Sequence, residues 1–529
     1  MVTQHGIKLA TYLVSTQWGA QNSKVLECLL RRGTLTLAQI VRFTELSREN
    51  VRQSLLVLIH QNCIQAFAIQ REGGFGEAPK VITEYMPLFD NVIHIMRFPK
   101  FIQIVSEELG KECEEIFEGL LQHGRLPLGE IIDRHKQTST QGNCSTDAVL
   151  ETFNKLVNAR FVERCPAPEP FLEPPAEDET PAKKRGAKTA KVSELPKTIE
   201  QRALAAAAPL DSVRFLVEID NGSDIPEKAN EEHPNDGKVG EKRKHGSLKS
   251  DGGLMGNHEK KEILWRANFE EFMRRLRHKA CIANVRSRLG DDSRIVLSAV
   301  LELSRRSETK VKTESTASLS LDDIYDEVIK NEGGLGMNLE RIRAALVQLG
   351  CEMPMIQIDE TYSIDLKNII DACQNEEVES IVLKRYGREA HRIFRLLSKA
   401  GHLLESHKIA DATFVDKKDA IKILYKLWKD DYLQMEKVTI GGARQQFFLW
   451  KVNKGTLHEH VLDEMYHAAL NLRLRIQHEQ EQGKEILLVP REKLVGELGK
   501  KFKRLRKVRI ILESCLMNLD DALMLFHDF

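Results

Sequence analysis

The sequence predicts a mainly α-helical chain with small β wings, in which one small unit is repeated four times in tandem and followed by an antiparallel helical hairpin or coiled coil. The first observation behind this is a repeated helix. From Ser47 the apolar residues Val51, Leu55, Leu58 and Ile64 follow at offsets of four, eight, eleven and seventeen. The same offsets recur from Ser145 (Val149, Phe153, Leu156, Val162), from Asn338 (Ile342, Leu346, Leu349, Met355) and from Asp416 (Ala420, Leu424, Leu427, Leu433). The first three positions share one helical face, and the last falls where the chain turns into a strand. Ser47, Ser145, Asn338 and Asp416 are N-cap residue types, and Glu49, Asp147, Glu340 and Asp419 place an acid in the first turn, where it favours the helix dipole. The second observation lies upstream of these helices. Gly33, Leu35, Leu37, Ile40 and Val41 repeat as Gly124, Leu126, Leu128, Ile131 and Ile132, Leu319, Leu321, Ile324 and Tyr325 repeat the last four positions, and the segment around Gly401 matches loosely. The third is the region after Lys454. Leu457, Val461, Met465, Ala468, Leu472 and Ile476 recur every three or four residues, and after a break at 483–490 so do Leu494, Leu498, Phe502, Leu505, Leu512, Leu516, Leu519 and Leu523. Two long helices with a short connection make a hairpin.

A helix, a short extended piece, a second helix and a capped third helix running into strands is the winged-helix pattern, a helix-turn-helix variant. The expected division is winged helix 1 over 1–95, winged helix 2 over 96–165 completed by 262–280, winged helix 3 over 281–370, winged helix 4 over 371–453, and the coiled coil over 454–529. In the first unit 64–69 and 81–86 read as wing strands around the loop of Gly73, Gly74, Phe75 and Gly76. Residues 166–261 are rich in Pro, Glu, Lys, Ala and Gly and poor in aromatic and β-branched residues, so they read as a disordered insertion within a wing. Ile263, Leu264 and Trp265 then read as the returning strand, and 269–289 as a helix leading into the third unit.

Composition sets the outer limits. A chain of 529 residues is too long for one core and suits several small domains. Lys+Arg and Asp+Glu both number 78, so a globally basic nucleic-acid binder is disfavoured and any DNA contact must be local. Nine cysteines without one CxxC pair argue against a zinc ribbon and for reduced, mostly buried thiols. Without a signal-like N-terminal pattern or an apolar run of membrane-spanning length, an intracellular protein with no membrane contact is expected.

The catalytic signatures fail one by one. Gly333, Gly334 and Gly336 do not continue into a phosphate-binding loop, and neither G-x-S-x-G nor H-E-x-x-H occurs. His460, Glu464 and His467 share a helical face at ligand-like spacing, yet on a charge-rich helix they read as solvated side chains. No enzyme activity, cofactor, metal or small-molecule substrate is therefore assigned. The basic constellations carry more information. Lys418, Lys422, Lys426 and Lys429 form a stripe opposite Ala420, Leu424 and Leu427, on the face that in a helix-turn-helix module approaches DNA phosphates, with Arg444 at the wing tip beside it. The competing account is an ordinary solvated helix face. Lys500, Lys501, Lys503, Arg504, Arg506 and Lys507, with Arg509, crowd the final helix around Phe502, Leu505 and Val508, which fits docking on an acidic protein surface, contact with nucleic acid, or simple solvation. Lys183, Lys184 and Arg185, and Lys242, Arg243 and Lys244, resemble short nuclear-import clusters. The third helix of the first unit shows only Arg48 and Arg52 before turning neutral, which favours protein contact there.

With these features in place, the chain resembles the family of large winged-helix subunits specific to RNA polymerase III. Local strings carry the likeness: Arg97-Phe98-Pro99-Lys100-Phe101, Phe161-Val162-Glu163-Arg164-Cys165-Pro166, Trp265-Arg266-Ala267-Asn268-Phe269 and Arg392-Ile393-Phe394-Arg395-Leu396. The resemblance implies a non-catalytic nuclear subunit that sits on the polymerase clamp. It also implies two smaller polymerase-III-specific partners, one with winged helices and one acidic, and help in opening and holding promoter DNA. The large subunit of general factor II E plays that part for polymerase II, and the transcripts here would be transfer RNA, the small ribosomal RNA and other short RNAs. From the residues alone, a winged-helix scaffold of another large intracellular complex, with no DNA contact, stays open.

Overall fold

The computed structural model describes residues 2–71, 80–138, 145–172, 198–217, 262–307, 313–331, 333–351, 361–440, 445–490 and 496–529. In the first unit α1 (Gln4–Trp18), α2 (Ala20–Arg32), β1 (Leu35–Thr36), α3 (Leu37–Thr44) and α4 (Arg48–His60) lead into β2 (Ile64–Arg71), β3 (Lys80–Pro87) and α5 (Phe89–His94). Side-chain caps set where the helices begin. Thr36 and Gln39 form a reciprocal capping box on α3, and Ser47 accepts from the Asn50 N–H at 3.2 Å on α4. Val51, Leu55, Leu58 and Ile64 all enter one core with Val25, Leu26, Leu29 and Ile40. The predicted loop at 73–76 lies outside the described residues.

The second unit repeats the order with α6 (Phe98–Leu109), α7 (Lys111–His123), β4 (Leu126–Pro127), α8 (Leu128–Thr138), α9 (Thr146–Asn158) and β5 (Val162–Arg164). Gly33 and Gly124, matched in the sequence, both follow a second helix with φ of +81° and +82°. At Gly124 a Cβ would sit 2.3 Å from the His60 carbonyl oxygen, so the joint between the first two units requires glycine. The insertion departs from expectation. β6 (Phe171–Leu172), α10 (Ile199–Ala207) and α11 (Asp211–Arg214) are ordered, and β6 pairs in parallel with β2 of the first unit. Leu172 packs with Phe67, Met86 and Ala203, and Arg214 pairs with the buried Glu163. The disordered reading of 166–261 is therefore corrected for 166–172 and 198–217: a few small apolar side chains find a neighbour's sheet edge, which average composition hides. The two import-like clusters lie outside the described residues. β7 (Leu264–Ala267) then returns between β4 and β5, and α12 (Phe269–Leu289) leads on, as the sequence predicts.

The third unit contains α13 (Asp291–Ser307), β8 (Leu319–Ser320), α14 (Leu321–Lys330), α15 (Leu339–Gln348) and β9 (Thr361–Tyr362). Ile342, Leu346 and Leu349 are buried as predicted, whereas Asn338 makes no side-chain cap bond and Met355 lies outside the described residues. The fourth comprises α16 (Leu366–Tyr386), α17 (Arg388–Ala400), β10 (Leu404–Glu405), α18 (Ser406–Thr413), α19 (Lys417–Lys429), β11 (Gln434–Ile440) and β12 (Gln445–Lys451), with strand order β10-β12-β11.

The stalk is α20 (Lys454–Leu487) and α21 (Glu497–His527). They run antiparallel: His458 meets Phe526 at 5.3 Å, and a Cβ on Gly483 would strike Leu505. Leu457, Val461 and Met465 are buried, but Ala469 rather than Ala468 completes the row. Nor is the stalk a separate body, because Leu9 and Leu13 of α1, the start of α20 and Leu516 and Leu523 of α21 share the core of the fourth unit. The end of α21 also reaches two other cores, Met524 that of the second unit and Leu525 that of the third, and Phe529 just beyond it packs against both. Arg97, fully buried, pairs there with Asp520 at 3.1 Å and Asp528 at 2.7 Å, and Lys100 pairs with Asp520 at 2.6 Å. Among the described residues no helix is long and apolar enough to cross a membrane.

Candidate nucleic-acid and docking faces

The sequence of α19 separates its two sides. Asp416 caps the helix by accepting from the Lys418 N–H at 3.2 Å, and Ala420, Leu424 and Leu427 face the core. Lys418, Lys422, Lys426 and Lys429 are all exposed on the far side, spread along about 16 Å of helix. Lys422 makes an exposed pair with Asp419 at 3.0 Å, of the kind worth about 0–1 kcal/mol, and the Lys426 ammonium lies 5.2 Å from the centre of the Tyr386 ring. Lys418 and Lys429 make no ion pair with a described residue, so their charge is available to an outside anion. Arg444, the predicted wing-tip partner, lies outside the described residues.

Beside the lysines runs a feature the charge pattern did not suggest. Ile421, Tyr425 and Trp428 form an exposed apolar strip, and Phe414, just before the helix, is 92% exposed in a left-handed conformation. Tyr425 is held edge-on to Trp450 at 5.4 Å and to Trp428 at 6.2 Å, which keeps this strip rigid. The signal was present as apolar residues at 421, 425 and 428, one helical face that the core-forming residues 420, 424 and 427 leave unused.

The equivalent helices of the other units differ. α9 shows Asp147, and its Lys155 is taken by Glu151 at 3.0 Å; α4 offers Arg48 and Arg52 beside an exposed Leu56. α15 shows Leu339 and Val347, and its Arg341 binds Asp292 at 2.7 Å. Among these four helices α19 alone carries an unbalanced run of cations. His460, Glu464 and His467 are engaged internally: Glu464 binds Arg385 at 2.8 Å and Tyr432 at 3.0 Å, and His467 stacks on His5 at 4.5 Å.

The second basic group lies on the distal half of α21. Lys500, Lys501, Lys503, Arg504, Arg506 and Lys507 are all exposed, and among them only Lys500 has an ion pair with a described residue, Glu497 at 2.9 Å. The structure therefore keeps the two predicted basic groups apart, one on the fourth unit and one on the stalk.

Fold and faces together define a class: a tandem winged-helix protein of the DNA-binding helix-turn-helix kind, carrying a helical stalk. Residues 151–372 match the family described as RNA polymerase III subunit RPC82, residues 8–68 its helix-turn-helix domain, and residues 378–452 the C-terminal winged-helix domain of POLR3C. The chain belongs to this family of RNA polymerase III subunits. It is 26% identical over 497 residues to DNA-directed RNA polymerase III subunit RPC3 of Danio rerio, covering 92% of this chain and 86% of the relative. The Homo sapiens RPC3 is 24% identical over 510 residues with the same coverage, and the Dictyostelium discoideum protein is 21% identical over 663, covering 99% of each chain. The resemblance read from the local strings holds.

Proposed function

We propose that this chain is a non-catalytic subunit of nuclear RNA polymerase III that docks on the clamp, assembles the initiation subcomplex with two smaller subunits, and helps open and hold promoter DNA. The observation that carries the DNA part is the α19 face, with four exposed lysines on one side of a rigidly packed recognition helix. Ammonium groups there displace counterions from phosphates and read no sequence, which suits a subunit that meets many promoters after the polymerase has found them. Clamp docking falls to the stalk, whose distal half carries the exposed basic residues of α21. The apolar outward faces of α4 and α15 favour protein contacts for the first and third units. Replacing Lys418, Lys422, Lys426 and Lys429 together by Ala tests the DNA role in reconstituted polymerase. The expected result is weaker promoter opening with a shallower salt dependence, by up to roughly one unit of slope per lost phosphate contact. Unchanged opening and an unchanged slope would assign α19 to solvent and the DNA contact to another face.

A further inference from the structure

The stalk carries a groove that its own helices do not fill. Between α20 and α21, Ile476, Phe502, Leu505 and Leu512 form an apolar floor, with Glu479 and Gln480 on one side and Arg506 and Arg509 on the other, around a volume of about 170 Å³. Its cause is local. Gly483 has no side chain, so Leu505 seats directly against the α20 backbone, where a Cβ would lie 2.3 Å from its Cδ2. This close approach fixes the helix separation at one point, and the longer side chains one to two turns nearer the fourth unit's core leave a notch. An apolar cavity of about 150 Å³ takes up benzene, so this one holds a single aromatic or aliphatic side chain.

The rim states which partner supplies that side chain. Between residues 497 and 512 seven lysines and arginines stand against one carboxylate, Glu497. Lys501, Lys503, Arg504, Arg506 and Lys507 make no ion pair with a described residue, and Leu498, Ile510 and Ile511 are exposed among them. A cationic surface on which Lys500 and Arg509 are paired and the other five cations have no described carboxylate, with an apolar notch and exposed isoleucines, complements an amphipathic helix whose polar face is acidic. We infer that the distal stalk is a docking site for an acidic amphipathic helix of a partner chain, with one large apolar side chain seated between Phe502 and Ile476. This inference rests on the reading of the stalk as a docking element and adds the chemistry of what docks.

The test uses the full-length chain in the assembled polymerase. A photo-crosslinking residue, p-benzoylphenylalanine, replaces the exposed Gln480 at the groove rim, and the captured segment is sequenced by mass spectrometry. The expected capture is a helical, acid-rich protein segment with a large apolar residue at the crosslink. In parallel Gln480→Trp, which covers the groove from an exposed position, weakens retention of that partner roughly tenfold, as loss of a buried anchor does, with an unchanged melting temperature. Capture of DNA or RNA, of a basic segment or of nothing would overturn the inference. If reversing Lys503, Arg504 and Lys507 to Glu weakens assembly but Gln480→Trp does not, docking survives and the groove anchor fails. If neither change weakens assembly, both readings fail.

Discussion

The third and fourth units bury one template and show solvent two different faces. In α15 Ile342, Leu346 and Leu349 point inward, and in α19 Ala420, Leu424 and Leu427 occupy the same offsets. Outside, the Arg341 guanidinium grips Asp292 through two oxygens at 2.7 and 2.8 Å, while Lys418 and Lys429 have no described carboxylate to bind. Both helices carry cations, yet only one has charge to spare. The positions that make the fold are thus independent of those that choose the partner, and a basic residue counts toward recognition only after its internal pairs are subtracted.

The sharpest way to break this comparison is to attack the shared inside. Leu346→Ala and Leu424→Ala should each cost about 2–5 kcal/mol as cavities in closed cores, read by urea denaturation and hydrogen exchange in the affected unit. A neutral result in either would mean that the template does not place both residues alike. A second effect falls on the junction where the end of α21 meets α5 of the first unit. The His527 imidazolium is buried, and hydrogen bonds and charge from Asp528 and Asp90 overcome desolvation to hold its pKa up at about 9. A raised folded value gives stability that is fully present below pH 6.5 and is lost as pH rises through about 9. His94 beside it is pushed down by burial, and Asp90 and Asp528 are held below the usual carboxylate range, so their contributions change on the acid side. Melting temperature should therefore fall between pH 6.5 and 9, and Asp90→Asn should move that fall to lower pH. An identical profile for the variant would disconnect Asp90 from the junction.

Smaller effects test the outsides. The fourfold lysine replacement in α19 should flatten the salt dependence of DNA binding, whereas Arg341→Ala in α15 should leave it untouched. For its part, Arg341→Ala should cost about 0–1 kcal/mol, the worth of an exposed ion pair, seen as a small shift in urea midpoint. A salt-slope change from Arg341→Ala would erase the distinction between the helices.

The inward pattern was legible because burial is periodic: Val51, Leu55 and Leu58 could be read as a face without knowing what covers it. The helix read at 269–289 is present with those bounds. Three of the four local strings that gave the family away turn out to be joints. Arg97 and Lys100 hold α21, Glu163 holds Arg214 and Arg266, and Phe98 and Phe101 stack with Phe269 and Phe272. What stayed hidden depends on distant neighbours. Phe171 and Leu172 become a strand only because the β2 edge of another unit is open to them, and no local window contains that edge. Ile421, Tyr425 and Trp428 escaped because a helix with a complete core face and a complete charged face leaves its third face unread.

Arg97 and Asp520 are separated by 423 residues, so during synthesis the first half of this ion pair waits for the second. At roughly 5–20 residues per second that wait is on the order of twenty to ninety seconds, long enough for the first three units to fold before α21 exists. A joint closed by leucines would leave an apolar surface bare for that interval, open to association with other nascent chains. The part of this joint closed by Arg97 and Lys100 stays hydrated until its carboxylates arrive. The ionic part of this buried junction thus suits a helix that joins units made well before it.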